Sequence, residues 1–193
     1  MNAKLKETIL NPILKGNPIT VLVLGICSSL AVTVQMKGAF VMGLSVIVVT
    51  ALSNFVVSLM RNSIPNRVRI IVQLVVVSLM VILVDQFLKA YAYSIETQLS
   101  VYVGLIITNC IVMGRIEAFG LGNKPIPSLL DGLANGAGYA MILLIVAFFR
   151  ELLGSGTLFG FRVIPQCFYD AGYMNNGLVI LPPVALILLG CIV

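Results

Sequence analysis

The sequence predicts an all-α integral membrane protein, and three observations carry that prediction. Of its 193 residues, 60% are hydrophobic and only 10% charged, with a mean hydropathy of +1.10. Soluble domains hold roughly 45–50% apolar and about 25% charged residues. The apolar residues gather into six runs, divided by polar or Pro/Gly-rich stretches at 61–69, 120–127 and 154–176. These runs are too long, and too little alternating, for the strands of a membrane barrel.

The elements follow in chain order. Residues 1–17 carry Lys4, Lys6, Glu7 and Lys15 with Pro12. No small-residue cleavage site follows, so this is not a signal peptide but a short amphipathic lead-in on the membrane surface. The runs are 19–34, 38–60, 68–88, 99–113, 129–149 and 177–193. A spanning helix needs about 20 residues to cross ~30 Å of hydrocarbon. The second and third runs meet that length. The first and fourth reach only roughly 22–24 Å as ideal helix, so they are predicted short or broken. Short runs at matching places in two halves are a mark of an inverted repeat. Three runs per half is an odd number, which requires the second half to run inverted. The expectation is one membrane domain over 1–193, with repeat one at about 19–90 and repeat two at about 99–193. The chain closes on Gly190, Cys191, Ile192 and Val193 without a basic anchor, and the native helix is expected to continue.

Basic residues orient the runs. With a cytoplasmic N-terminus, the inner side holds Lys4, Lys6, Lys15, Arg61, Arg67, Arg69, Arg115 and Lys124. The outer side holds Lys37, Lys89, Arg150 and Arg162. Eight against four favours both ends inside. In so apolar a chain the net charge of +5 reads as a topology signal rather than a nucleic-acid footprint.

Chemistry is restricted by what is absent. There is no His, which removes imidazole metal ligands and His-based triads. No dinucleotide-binding glycine loop and no phosphate-binding Walker sequence is present, so neither NADH binding nor ATP hydrolysis is expected of this chain. Of the four Cys, Cys27 and Cys110 each lie inside a short run, 83 residues apart. Gly25, Ser28 and Ser29 flank one, Thr108 and Asn109 the other. Two readings stand. Free Cys packs as a small buried hydrophobe. Alternatively, two helix breaks present thiolates at a shared centre, with neighbouring donors tuning an iron–sulfur site. Cys167 and Cys191 read as structural.

Two acids leave a similar choice. Asp85, four residues before Lys89, is either an i,i+4 ion pair or the lining of a cation path. Asp131 is either a carboxylate near a helix N-terminus or another such lining. Arg115 with Glu117, and Arg150 with Glu151, read as interfacial charges. Gly132, Ala134, Gly136, Ala137 and Gly138 form a small-residue face for close helix packing.

Several stretches carry a family resemblance. They are LGICSSLAVT around Cys27, FVMGLSVIVVTALSNFVVSLMRNSIPNRVRIIVQ, VDQFLKAY, QLSVYVGLIITNCIVMGRIEAF around Cys110, PSLLDG and FFRELLGSGTLFG. They cover most of the chain from about Asn11 to Gly160. In them the sequence resembles the D subunits of the bacterial sodium-translocating NADH:quinone oxidoreductase and, more distantly, the E subunits of the Rnf electron-transport complex. The family's usual basic C-terminal tail is missing here.

The resemblance implies six transmembrane helices in two inverted three-helix repeats, in the bacterial inner membrane. It implies pairing with the homologous E subunit, of opposite orientation, within a six-subunit complex. Cys27 and Cys110 would join two partner cysteines around a [2Fe–2S] cluster, with Gly25, Ser28, Thr108 and Asn109 around it. FMN, riboflavin, FAD and NADH would sit only in other subunits. The cluster would pass electrons from a cytoplasmic flavin and iron–sulfur subunit to an outer flavin subunit, coupled to Na⁺ export and ending at ubiquinone. Asp131 and Asp85 would lie on the Na⁺ path. The chain would be an electron carrier in a translocase, not catalytic alone. An Rnf-type subunit, an independent secondary transporter and an inert assembly subunit are the competing readings.

Overall fold

The computed structural model describes residues 19, 21, 23–65, 67–91, 104–158, 161–162 and 180–192. The lead-in at 1–17, the start of the fourth run, Cys167 and the start of the sixth run lie outside them.

Among the described residues the chain forms six α-helices. They are α1 Ile26–Val32, α2 Met36–Met60, α3 Arg69–Tyr91, α4 Cys110–Arg115, α5 Pro125–Gly154 and α6 Pro182–Ile192. Among the described residues three stretches are long and apolar enough to cross a membrane: Met36–Met60, Arg69–Phe87 and Pro125–Gly154. The first and third of these run beyond the predicted 38–60 and 129–149, while the second lies within the predicted 68–88. In α5 the extension is local chemistry, because Pro125 can open a helix where no N–H partner is needed. After α5, Thr157–Leu158 (β1) and Phe161–Arg162 (β2) pair as a small antiparallel hairpin, a strand element the hydropathy pattern did not show.

The first and fourth runs are broken. Before α1, Val23 has φ 56° and Gly25 φ 82°, so the chain turns through left-handed backbone before the helix starts. The fourth run has a helical turn over 104–107, a break at Thr108 and Asn109, and then α4. The Asn109 side chain caps α4 by accepting the Ile111 N–H at 3.2 Å. A π-helical turn, Ile116–Gly120, follows directly.

The core is built on α2 against α5. Lipid tails are as apolar as leucine, so close backbone approach rather than water exclusion holds such helices together. The small face of α5 provides it. A Cβ added at Gly132 would stand 2.8 Å from the Ala51 Cα, and one at Gly136 would stand 2.8 Å from the Ile47 Cα. Val46, Val49, Val57, Leu143 and Val146 are fully buried around this seam.

Polar contacts define the two ends of the bundle. At one end Ser58 Oγ donates to the Asn123 carbonyl at 2.5 Å, and Gln73 Nε2 donates to Glu117 at 2.8 Å. Arg69 pairs with the same Glu117. At the other end Arg150 donates to Thr33 Oγ1 at 2.5 Å and to the Leu30 and Ile180 carbonyls, and Glu151 accepts the Met36 N–H at 2.6 Å. Arg61, Arg67, Arg69, Arg115 and Lys124 therefore gather toward one end, and Lys37 and Arg150 toward the other. That is the grouping the alternation of runs requires. Arg150 and Glu151, read as interfacial charges, stand at this end of the bundle and are buried within the protein, at 1% and 5% exposure. They tie the α1–α2 turn to the end of α5.

Candidate metal centre

The two breaks meet. Cys27 lies at the second position of α1 and Cys110 at the first of α4. Their sulfurs stand 3.9 Å apart, although the residues are 83 apart in sequence. Disulfide sulfurs sit about 2.05 Å apart, so both are free thiols. A tetrahedral thiolate site with metal–sulfur bonds near the zinc value of about 2.3 Å sets two sulfurs about 3.8 Å apart. The pair has the bite of two ligands on one ion.

Both thiols are exposed, while the residues behind them are not. Ser28, Asn109 and Tyr139 are 1%, 0% and 0% exposed. Gly25 is needed here twice over. Its φ is left-handed, and an added Cβ would come within 2.8 Å of Ile111 Cδ1 and 3.0 Å of Tyr139 Cε2. Tyr139 is the fifteenth residue of the 30-residue α5, so the cysteine pair sits against the middle of the longest spanning helix.

The flanking polar side chains shape the breaks. Ser28 Oγ donates to the Gly25 carbonyl at 3.0 Å, Thr108 Oγ1 donates to the Gly104 carbonyl at 3.0 Å, and the Asn109 carbonyl oxygen is occupied by its cap. None of these three bonds is made to a sulfur.

Thiolates are the usual ligands of iron–sulfur clusters, which take four of them. Among the described residues no group of three or more His, Cys, Asp or Glu could hold a metal. The donor set fits one half of a four-thiolate site, open on its exposed side to ligands from outside. Cys27 and Cys110 are the residues that would hold the group.

The two candidate acids stand elsewhere. Asp131 is 2% exposed and lies beyond the first turn of α5. Instead of the positive helix end, it meets Arg115, with Nε to Oδ2 at 3.0 Å and Nη2 to Oδ1 at 2.5 Å. Asn135 Nδ2 adds a third donor at 3.0 Å. Arg115 is thus paired within the protein, and its guanidinium also stacks 5.8 Å from the Phe119 ring centroid. Asp85 pairs with Lys89 at 2.9 Å, as the i,i+4 reading expects, and leaves its buried Oδ1 without a hydrogen-bond partner. Cys191, near the end of α6, is exposed and apart from the pair. Sequence reasoning did not single out Tyr139; a tyrosine in an apolar helix carries no signal that separates a hydrogen-bonded core residue from any other.

A sequence model of the Rnf-Nqr subunit family, described as a membrane protein, matches residues 5–193. The chain belongs to the Rnf-Nqr family. Among its relatives is the D subunit of the Na(+)-translocating NADH-quinone reductase of Aeromonas hydrophila subsp. hydrophila, 56% identical over 99% of this chain and 91% of the relative. The D subunit from Aeromonas salmonicida is equally similar, and that from Psychromonas ingrahamii is 55% identical over 98% of this chain and 90% of the relative. The Rnf-Nqr assignment agrees with the resemblance read from the segments around Cys27 and Cys110.

Proposed function

We propose that this chain is the D subunit of a Na⁺-translocating NADH-quinone reductase, in which Cys27 and Cys110 hold one half of an intramembrane [2Fe–2S] centre. The observation that carries the reading is the 3.9 Å separation of two exposed thiols at two helix breaks. The names of the relatives support the complex to which the chain is assigned. The homologous E subunit would bring the other two thiolates and face the exposed side of the pair. The fold would be completed as six membrane helices in two inverted three-helix repeats, in the inner membrane with the N-terminus cytoplasmic.

When bound, the cluster supplies one-electron transfer. The chain's own residues hold it in place and shield it. Ser28 and Asn109 anchor the two ligand-bearing breaks, and Ile111 and Tyr139 close the space behind them. Cys27 and Cys110, at mid-height of α5, would hold that group between a cytoplasmic flavin subunit and an outer one. Among the described residues no third His, Cys, Asp or Glu stands with the pair to act as a substitute ligand. NADH, FMN, riboflavin and FAD would be bound by other subunits, and ubiquinone reduced at the level of the complex.

The Na⁺ path is assigned to the two buried acids in different capacities. Both oxygens of Asp131 are occupied by Arg115 and Asn135, so it would act as a charge pair that opens. Asp85 keeps one oxygen without a partner and is the more direct cation ligand.

The deciding experiment replaces each cysteine in the assembled complex. Cys27→Ala and Cys110→Ala should strip iron and acid-labile sulfide from the membrane subunits and bring quinone reduction near zero, while NADH still reduces the cytoplasmic flavin. Cys167→Ala and Cys191→Ala should stay near normal, with a packing cost of at most about 1 kcal/mol. Full iron and full quinone reduction in both of the first two variants would overturn the electron-carrier reading. Na⁺ uptake by the chain alone in liposomes would favour a secondary transporter instead.

A further inference from the structure

We infer that Tyr139 is the positioning residue of the cysteine pair, its hydroxyl acting as a crosspiece that holds the Cys27 break and the Cys110 break in one relative placement. The inference rests on the metal-centre reading of Cys27 and Cys110.

A count of protons gives the crosspiece a direction. Ser28 has one hydroxyl proton, and it is used on the Gly25 carbonyl at 3.0 Å. The 2.7 Å contact between Ser28 Oγ and Tyr139 Oη therefore takes its proton from the tyrosine. The Tyr139 oxygen in turn accepts from Asn109 Nδ2 at 3.5 Å. The Asn109 carbonyl oxygen is occupied by the Ile111 N–H, which sets the amide's orientation. A single chain of bonds thus runs from Asn109 through Tyr139 to Ser28 and on to Gly25. Asn109 is the residue before Cys110, and Ser28 is the residue after Cys27.

The tyrosine comes from a third element. α1 and α4 are seven and six residues long, too short to hold their own geometry. α5 is 30 residues long and packed along α2. The Tyr139 ring fills the space under Gly25, and its hydroxyl is the polar group that α5 aims at both breaks. A phenylalanine would fill the same space and leave Ser28 Oγ and Asn109 Nδ2 without this partner, in a buried site where each lost partner is costly. The sulfurs would then keep their ligand identity and lose their common placement.

The test uses the whole complex with Tyr139→Phe, which removes only the hydroxyl. After iron is removed by chelation, Cd²⁺ affinity is measured from thiolate-to-metal absorption. Loss of a group that orients ligands typically weakens metal binding about 10–100-fold, and that range is expected for Tyr139→Phe. Ser28→Ala should act in the same direction, and the double variant should be no worse than the single ones, because both break one link. Val146→Ala, buried on the same helix two turns away, loses packing but should leave Cd²⁺ affinity unchanged. In the iron-loaded complex the midpoint potential should move in Tyr139→Phe and stay in place in Val146→Ala. Wild-type affinity and potential in Tyr139→Phe, or an equal effect of Val146→Ala, overturn the inference. Cys27→Ala separates the two layers. If it leaves Cd²⁺ affinity intact, the metal-centre reading fails; if it abolishes binding while Tyr139→Phe changes nothing, only the role of Tyr139 fails.

Discussion

The side chain of Arg115 is 16% exposed and that of its partner Asp131 only 3%, so this ion pair is held away from water. Removing one member of such a pair leaves the other charge without compensation, at a cost of about 3–5 kcal/mol. Asp131→Asn should therefore lower the thermal stability of the assembled complex well below wild type, and a second change, Arg115→Gln, should restore part of it. Asp85→Asn should cost less, since its partner Lys89 is 36% exposed and is not left buried when the carboxylate is lost. A thermal inactivation series over the three variants checks the order. Asp85→Asn should still weaken the Na⁺ dependence of turnover without loss of iron; an unchanged Na⁺ response would leave Asp85 as an ion pair only. The cysteines were legible at this scale because each lies inside one of the two short runs. Arg115, Arg150 and Glu151 were not, because a charge near the end of an apolar run looks the same whether it meets water or a buried partner.

The α2–α5 seam depends on the absence of side chains. Filling a close contact costs typically about 1–3 kcal/mol. Gly132→Ala and Gly136→Ala each place a methyl within 2.8 Å of a facing Cα, so each should reduce assembly or melting temperature, whereas Gly122→Ala has open space around it and should be neutral. Melting of the three purified variants checks this contrast, and equal stability of all three would exclude the seam as the organising contact. Gly25 is a separate case: an alanine there must adopt φ 82° and also meet Ile111. The small-residue face was visible as a run of Gly and Ala in one helix; which helix it received was not, since α2 and α3 are both long and apolar.

At the scale of the whole molecule, the contacts of Thr33 and Met36 with Arg150 and Glu151 put the α1–α2 turn and the end of α5 at one end of the bundle. Those of Ser58 with Asn123 put the end of α2 and the start of α5 at the other. Reporter fusions should then sort by end: external at Lys37 and Lys89, internal at Arg67. Fusions reading the reverse would invert the orientation while leaving the bundle unchanged, since the basic bias and not the packing sets the direction.

The membrane class, the positions of the long helices and the two short runs were determined by the sequence alone, because hydropathy and length act locally and additively along the chain. Tertiary structure decided what lay between distant residues. It brought the two sulfurs to 3.9 Å, replaced the helix end by Arg115 as the partner of Asp131, and placed Tyr139 under both breaks. Each of these is a pairing between separate elements of the chain. Its energy depends on orientation and on exclusion from water, and neither quantity is written in the local pattern of residues.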